Sequence, residues 1–392
     1  MNTCPVCGSG ECIDTVRRER LPAMQNYVYR TRDAACGATR GRFVLAACRS
    51  CGFAWNRAFD PGLLRYDENY DNAVPSAVMA EYYMELAGYL TRKYLLDGGL
   101  VVEIGCGDGA FLRTICAASP HVHGVGVDPA LKRTQSITEA RVVLRKDVFR
   151  PEQIVEQPTL VLSRHVLEHI PQPVEFLSAI ASGTSRFDTC ACYFEVPDLD
   201  WILTNGTFWD FCYEHCNYFT AASIAEAMRR ARLAPTTHRT GFGSQYLWNE
   251  GTTAAPTDAS STAAAERGDL AARAAAYAAH ERSRIDAMRG LLQGHRDQGK
   301  AVAVWGMATK GVIFSLLVDP DASLIEYCID VNANKQGCFV PLTGHAISAP
   351  TALRSSSRPV SVMVMNENYR DEIAATCREI GIHASLVTLD RV

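Results

Sequence analysis

Two pairs of cysteines carry the first chemical signal: Cys4-Pro-Val-Cys7 near the start of the chain, then Cys48-Arg-Ser-Cys51. Each Cys-x-x-Cys step sets two thiolates on one tight turn, and two such turns close a tetrahedron of sulfurs around zinc at about 2.3 Å per bond. Four thiolates leave no open coordination position, so the expected ion is structural. A redox dithiol and four free thiols are the competing readings; Gly8 and Gly52, each just after a second cysteine, favour zinc on Cys4, Cys7, Cys48 and Cys51.

The second signal is Val101-Val-Glu103-Ile-Gly105-Cys-Gly107-Asp-Gly109. An apolar strand runs into an acidic residue and a glycine turn that opens a helix, and the glycines let a ligand approach the backbone closely. A glycine turn alone would also suit a dinucleotide. Here a carboxylate, Glu103, precedes Gly105, Gly107 and Gly109, which suits a ligand bearing an ammonium group and not a diphosphate. Asp128 ends the next strand, where a carboxylate can accept both ribose hydroxyls. Asp147, after a third strand-like run at Arg141–Leu144, is placed to accept an adenine amino group. The ordered set points to S-adenosylmethionine as cofactor and to a class I Rossmann-like methyltransferase fold, with His165 lining the adenosyl pocket.

Further motifs extend over nearly the whole chain: the Asn69-Tyr70 region, Val166-Leu-Glu-His169, Tyr213-Glu-His215-Cys-Asn-Tyr-Phe219, Trp305-Gly-Met-Ala-Thr-Lys310-Gly311 and Asp330-Val-Asn-Ala-Asn-Lys335-Gln-Gly337. In this combination the chain resembles the sugar C-methyltransferase family, which includes the TDP-deoxysugar C-3 methyltransferases. The resemblance implies methyl transfer to a carbon alpha to the ketone of a nucleotide-linked 4-keto sugar. It also implies that Lys310 holds the donor's diphosphate and that Asp330, Asn332 and Lys335 contact its ribose or base; a purely structural role for that segment is the alternative. Asn72 and Cys212 stand where the family has tyrosines, and Gly241-Phe-Gly-Ser-Gln245 replaces a His-Gly-Gly-Ser stretch. These departures fall where acceptor is handled, so a methyltransferase acting on carbon, nitrogen or oxygen of another small molecule is the second reading. A non-catalytic cofactor-binding or zinc-scaffold protein is a third, disfavoured by the intact cofactor set.

Methylating carbon requires an enolate, hence a base near the C–H bond and a donor near the ketone oxygen. Histidine titrates near neutrality and is the natural base. His215 is the expected base, with Glu214 beside it in an aromatic stretch as partner for base or substrate. His169, beyond the fourth strand, is the expected enolate stabiliser, and Tyr70 is a further candidate. For each, a packing or capping role is the plain alternative.

These groups need elements to hold them. Short apolar runs at Leu100–Ile104, Gly124–Val127, Leu160–Ser163 and Thr189–Val196 alternate with helical patterns, which predicts parallel βαβ units. A second alternation includes Ala301–Trp305, Ile325–Ile329, Val360–Met365 and a helix near Tyr369–Gly381. The expected organisation is an α/β chain in four parts: a zinc-binding module over 1–65; a methyltransferase domain over 66–250, with a helical connector at 66–98; an Ala- and Arg-rich helical linker over 251–298; and a second Rossmann-like α/β domain for substrate over 299–392. Residues 251–262 read as mobile. A net charge of −4 over 392 residues argues against a nucleic-acid surface. The absence of a long apolar run or signal-like start predicts a cytoplasmic protein with no membrane partner. Without an export signal, the 15 cysteines are expected as thiols or metal thiolates.

Overall fold

The computed structural model describes residues 3–67, 69–254 and 269–389. Three sheets organise them. The central one has eight strands, in the order Ala234–Gly241, Tyr246–Thr252, Ala191–Pro197, Pro158–Arg164, Gly99–Ile104, Val122–Val127, Val142–Arg145 and Gln135–Ile137. Its five middle strands are parallel, as their near-continuous apolar sequences require once helices cover both faces. The chain builds outward from Gly99–Ile104 to one side, then returns to add Pro158–Arg164 on the other. That reversal opens a crevice at the strands' carboxyl ends, the position where ligands bind in open α/β sheets.

Helix Ala77–Tyr94 covers this sheet. Ser76 caps its start by accepting from the Met79 amide, and Tyr82, Leu86, Ala87 and Leu90 recur at helical spacing to form its buried face. The expected connector thus carries part of the central sheet's core. Helix Ala110–Ala117 starts at Gly109, whose φ of +80° is the left-handed conformation that a side chain disfavours.

A five-stranded parallel sheet follows, ordered Ile347–Ser348, Tyr327–Ile329, Ala301–Trp305, Val360–Val364 and Ala384–Thr388. Its order reverses beside Ala301–Trp305, so this sheet has a crevice of its own. Helix Leu270–Asp297, capped by Asp269, leads into it. Of the stretch read as mobile, 255–262 lies outside the described residues, while Gly251 and Thr252 stand in a strand.

The N-terminal sheet is antiparallel: Cys12–Pro22, Arg40–Cys48, Ala54–Asn56 and then Asn217–Tyr218. Its last strand comes from the segment that follows His215, with Asn217 opposite Trp55 and Tyr218 opposite Ala54. The N-terminal strands therefore share a sheet with the segment around residue 217. Arg18, buried, donates to the Phe211 and Phe208 carbonyls at 2.7 and 2.8 Å and pairs with Glu281 of the long helix at 2.5 Å. Among the described residues no helix is long and apolar enough to cross a membrane.

Candidate active site and cysteine cluster

At the end of strand Gly99–Ile104, Glu103 is buried with one carboxylate oxygen lacking a hydrogen-bond partner among the described residues. Burial pushes its carboxyl up to about 8, against the pull of the nearby Arg164 guanidinium. An orphaned buried carboxylate is costly unless a ligand completes it. The glycine turn beside it has room for that ligand: a Cβ on Gly107 would meet nothing within 4 Å, whereas one on Gly105 would strike Val166 at 2.2 Å. Asp128 buttresses the turn, accepting from the Gly107 amide at 2.8 Å and the Ala130 amide at 2.7 Å. These residues fit the cationic amino-acid end of S-adenosylmethionine. Asp147 is committed elsewhere, to Arg150 at 2.5 Å and Gln153 at 2.9 Å.

This geometry gives a pH signature. Glu103 binds its proton more tightly in the folded, ligand-free protein than in the unfolded chain, so the stability it contributes is greatest below about 4.5 and is lost as pH rises through about 8. A cationic ligand would pair with the ionised form. Affinity for S-adenosylmethionine should therefore rise with pH up to about 8, by at most about tenfold per pH unit. Titration calorimetry at several pH values should show this rise in the natural protein and a flat profile in Glu103→Gln; equal slopes in both would locate the titrating group elsewhere.

The next strand delivers a buried network that the sequence reading missed. Arg164 pairs with Glu195 at 3.1 Å and stacks on Tyr83 and Phe111, while Tyr82 and Tyr193 donate to the same carboxylate at 2.7 and 2.8 Å. The available signal was a single glutamate inside the apolar strand Ala191–Pro197. His165, at φ +53°, is clamped between Glu195 at 2.8 Å and Glu168 at 3.4 Å. Although burial works against its charge, the two carboxylates raise it to about 9. His165 thus stands at the crevice as an imidazolium.

His169 and His215 meet edge to face, with ring centroids 4.9 Å apart. The turn Leu167–His169 presents the first, and the segment leading into strand Asn217–Tyr218 presents the second. His169 Nδ1 lies 3.0 Å from the Glu214 carbonyl oxygen. A carbonyl only accepts, so Nδ1 carries the proton and Nε2 of the neutral ring keeps its lone pair. Neither ring nitrogen of His215 hydrogen-bonds within the described residues. Burial, with His169 adjacent, pushes His215 down to about 3 against the pull of Glu168, which keeps it neutral. Glu214 does not face His215: its carboxylate accepts from the Gln25 amide and, at 3.2 Å, from the Asn26 amide, and it shares a hydrogen bond with Tyr70. The pairing expected between neighbours in sequence is replaced by one across the fold, because a buried carboxylate needs donors and residues 25–26 supply them.

The four expected substrate contacts lie in joints between segments. Lys310 binds Asp210 at 2.8 Å and Gln245 at 3.3 Å. Asp330 accepts from the Met307 and Asn332 amides, both at 2.8 Å, a turn-bracing arrangement that repeats that of Asp128. Asn332 donates to Asp71 at 2.9 Å, and buried Lys335 donates to Asn26 at 2.9 Å and to the Met307 carbonyl at 3.3 Å. They converge on the side of the fold that holds Glu214 and Tyr70, yet each already has protein partners.

The four cysteines of the N-terminal motif come together, with Cys4 and Cys51 sulfurs 3.6 Å apart and Cys7 and Cys48 sulfurs 3.5 Å apart. The edge of a tetrahedron with 2.3 Å bonds is about 3.8 Å, so this donor set fits a zinc ion with little rearrangement.

A methyltransferase-domain family matches residues 72–238, and a C-methyltransferase C-terminal-domain family matches residues 249–385. The chain is 27% identical to C-methyltransferase NovU of Streptomyces niveus, over 95% of this chain and 91% of that protein. An O-methyltransferase family protein from Burkholderia thailandensis overlaps it with a TM-score of 0.35 and 16% identity, covering 46% of this chain and 57% of the other. For CalO1, a methyltransferase in calicheamicin biosynthesis, the values are 0.35 and 16%, covering 45% and 54%. Fold and crevice, with the methyltransferase-domain match and the match along NovU, define an S-adenosylmethionine-dependent methyltransferase. Within that class its similarity runs to the C-methyltransferases, through the C-terminal-domain match and the 27% identity to NovU.

Proposed function

We propose that the protein methylates a carbon alpha to the ketone of a nucleotide-linked deoxysugar, through an enolate made by the His169 and His215 pair. The observation that carries this reading is the pair itself, a fixed lone pair beside a neutral ring with unsatisfied nitrogens, next to the cofactor crevice. S-adenosylmethionine supplies an electrophilic methyl group on a sulfonium. Removing the alpha proton is left to the protein.

The geometry leads us to exchange the two roles expected from sequence. His169, oriented by the Glu214 carbonyl, has the Nε2 lone pair of a general base. His215, held neutral, offers an N–H to the developing oxyanion without donating its proton outright, as a low-pKa imidazole can. Buried Glu168 then balances the charge that builds as His169 becomes an imidazolium. Tyr70 and Glu214 anchor the acceptor side. We also propose that Cys4, Cys7, Cys48 and Cys51 hold a structural zinc, and that 1–65, 66–250 and 299–392 act as zinc, methyltransferase and acceptor-binding units.

One observation favours the second reading, transfer to another small molecule: Lys310, Asn332 and Lys335 are already paired within the protein. Thermal-shift measurements distinguish the two. A nucleoside diphosphate should raise the melting temperature further in the presence of S-adenosylhomocysteine, since a ligand that binds only the folded state stabilises it. Absence of a shift with every nucleoside diphosphate would remove the nucleotide-linked acceptor and leave the alternative.

A further inference from the structure

We infer that Glu168, His169 and His215 form a second metal site, of nitrogen and oxygen ligands, which takes a divalent transition cation and thereby blocks turnover. One ligand atom from each of the three lies within 4.8 Å of the others. Glu168 is 1% exposed and one of its carboxylate oxygens has no hydrogen-bond partner among the described residues. That orphaned oxygen is the independent sign of a missing ligand, because a buried acceptor left unpaired is costly. The two imidazoles complete the set: the Glu214 carbonyl leaves His169 Nε2 with its lone pair, and His215 has no hydrogen bond to give up among the described residues.

Two neutral imidazoles and one carboxylate are the donors of zinc, cobalt, nickel and manganese sites, whereas magnesium and calcium prefer oxygen alone. Bonds of about 2.1 Å bring ligand atoms to roughly 3.0–3.4 Å of one another. The present spacing must therefore contract, and rotation of the partly exposed, unbonded His215 ring can do so cheaply. The site is chemically distinct from the sulfur-only cysteine cluster. Its ion would occupy the Nε2 lone pair that takes the acceptor's proton; this second half of the inference rests on the proposed function, while binding of the ion does not.

Cobalt(II) added to the purified full-length protein with its own metal content intact tests both halves. Calorimetry should find one further ion per chain. Its visible spectrum should show d–d bands without the near-ultraviolet thiolate-to-cobalt charge transfer that cysteine ligands give. Glu168→Gln and His215→Asn should each weaken binding by at least the roughly 10–100-fold that loss of a mere supporting partner costs, with S-adenosylhomocysteine affinity unchanged as the check on folding. No further ion, thiolate charge transfer on that ion, or natural affinity in both variants would overturn the site. Inhibition should be relieved by acceptor and not by S-adenosylmethionine. An ion that binds with these spectra and leaves turnover unimpaired would overturn the block alone, and would mean that the base is not His169.

Discussion

Replacing His169 with Asn should lower kcat by about 10²–10⁴, the usual contribution of a general base, while affinity for S-adenosylmethionine stays unchanged. The groups proposed to hold cofactor, Glu103 in strand Gly99–Ile104 and Asp128 just after strand Val122–Val127, lie outside the turn Leu167–His169, so the loss should be confined to turnover. Proton abstraction can be isolated from methyl transfer. With S-adenosylhomocysteine in place of the methyl donor, the natural enzyme should exchange the acceptor's alpha hydrogen with deuterated water, and His169→Asn should not. A small exogenous base should restore part of that exchange. The companion site behaves differently if its ring donates: His215→Asn keeps an N–H and should lose less than His215→Leu, which removes the donor. Exchange at the natural rate in His169→Asn, with exchange abolished in His215→Asn, would return the base to His215. An acceptor methylated on oxygen or nitrogen would show no alpha exchange even in the natural enzyme, and carbon methylation itself would fall.

The other large effect lies far from the crevice. Cys48→Ser should abolish zinc binding and remove much of the stability of the N-terminal sheet, because metal binding in such sites, with an apparent free energy of about 10–16 kcal/mol, is coupled to folding. Activity should fall with it, although no cysteine of the cluster is proposed to touch the acceptor. The route is structural. Cys48 ends strand Arg40–Cys48, and Cys51 leads through Phe53 into Ala54–Asn56, which pairs with Asn217–Tyr218 immediately after His215. Phe53 and Trp55 pack in one core with Cys4, Cys48, Cys51 and Phe219. Losing the ion loosens the strand that presents His215. Elemental analysis should find about one zinc per chain in the natural protein and none in the variant, with an earlier unfolding transition. A metal-free natural protein of ordinary stability would exclude the structural zinc.

The cofactor turn and the cysteine tetrad could be read from the chain because each is carried by contiguous residues. Glu103, Gly105, Gly107 and Gly109 form one strand, one turn and one helix start, so spacing alone determines their arrangement, and Asp128 follows at the end of the next strand. Cys4 with Cys7, and Cys48 with Cys51, are local knuckles whose chemistry allows few other uses. The apolar runs likewise reported buried parallel strands, though they gave no sign of the edge hairpin Ala234–Gly241 and Tyr246–Thr252, whose first strand is largely solvated and has no uniform apolar pattern.

Roles at the proposed acceptor site depended on partners far away in sequence. Glu214 was adjacent to His215 in the chain, yet the backbone turns its carboxylate to Gln25, Asn26 and Tyr70 and offers its carbonyl to His169. That single contact decides which nitrogen of His169 is basic, and no spacing rule contains it. Lys310, Asn332 and Lys335 were legible as polar residues after strands, but their engagement with Asp210, Asp71 and Asn26 follows from how the C-terminal sheet meets the rest of the chain. The sequence by itself determined the cofactor, the cysteine cluster and the α/β class, since these rest on local geometry and on burial periodicity. Only the tertiary structure decided the tautomer of His169, the neutrality of His215 and the orphaned oxygen of Glu168, because protonation and ligation depend on desolvation and on charges that folding brings together.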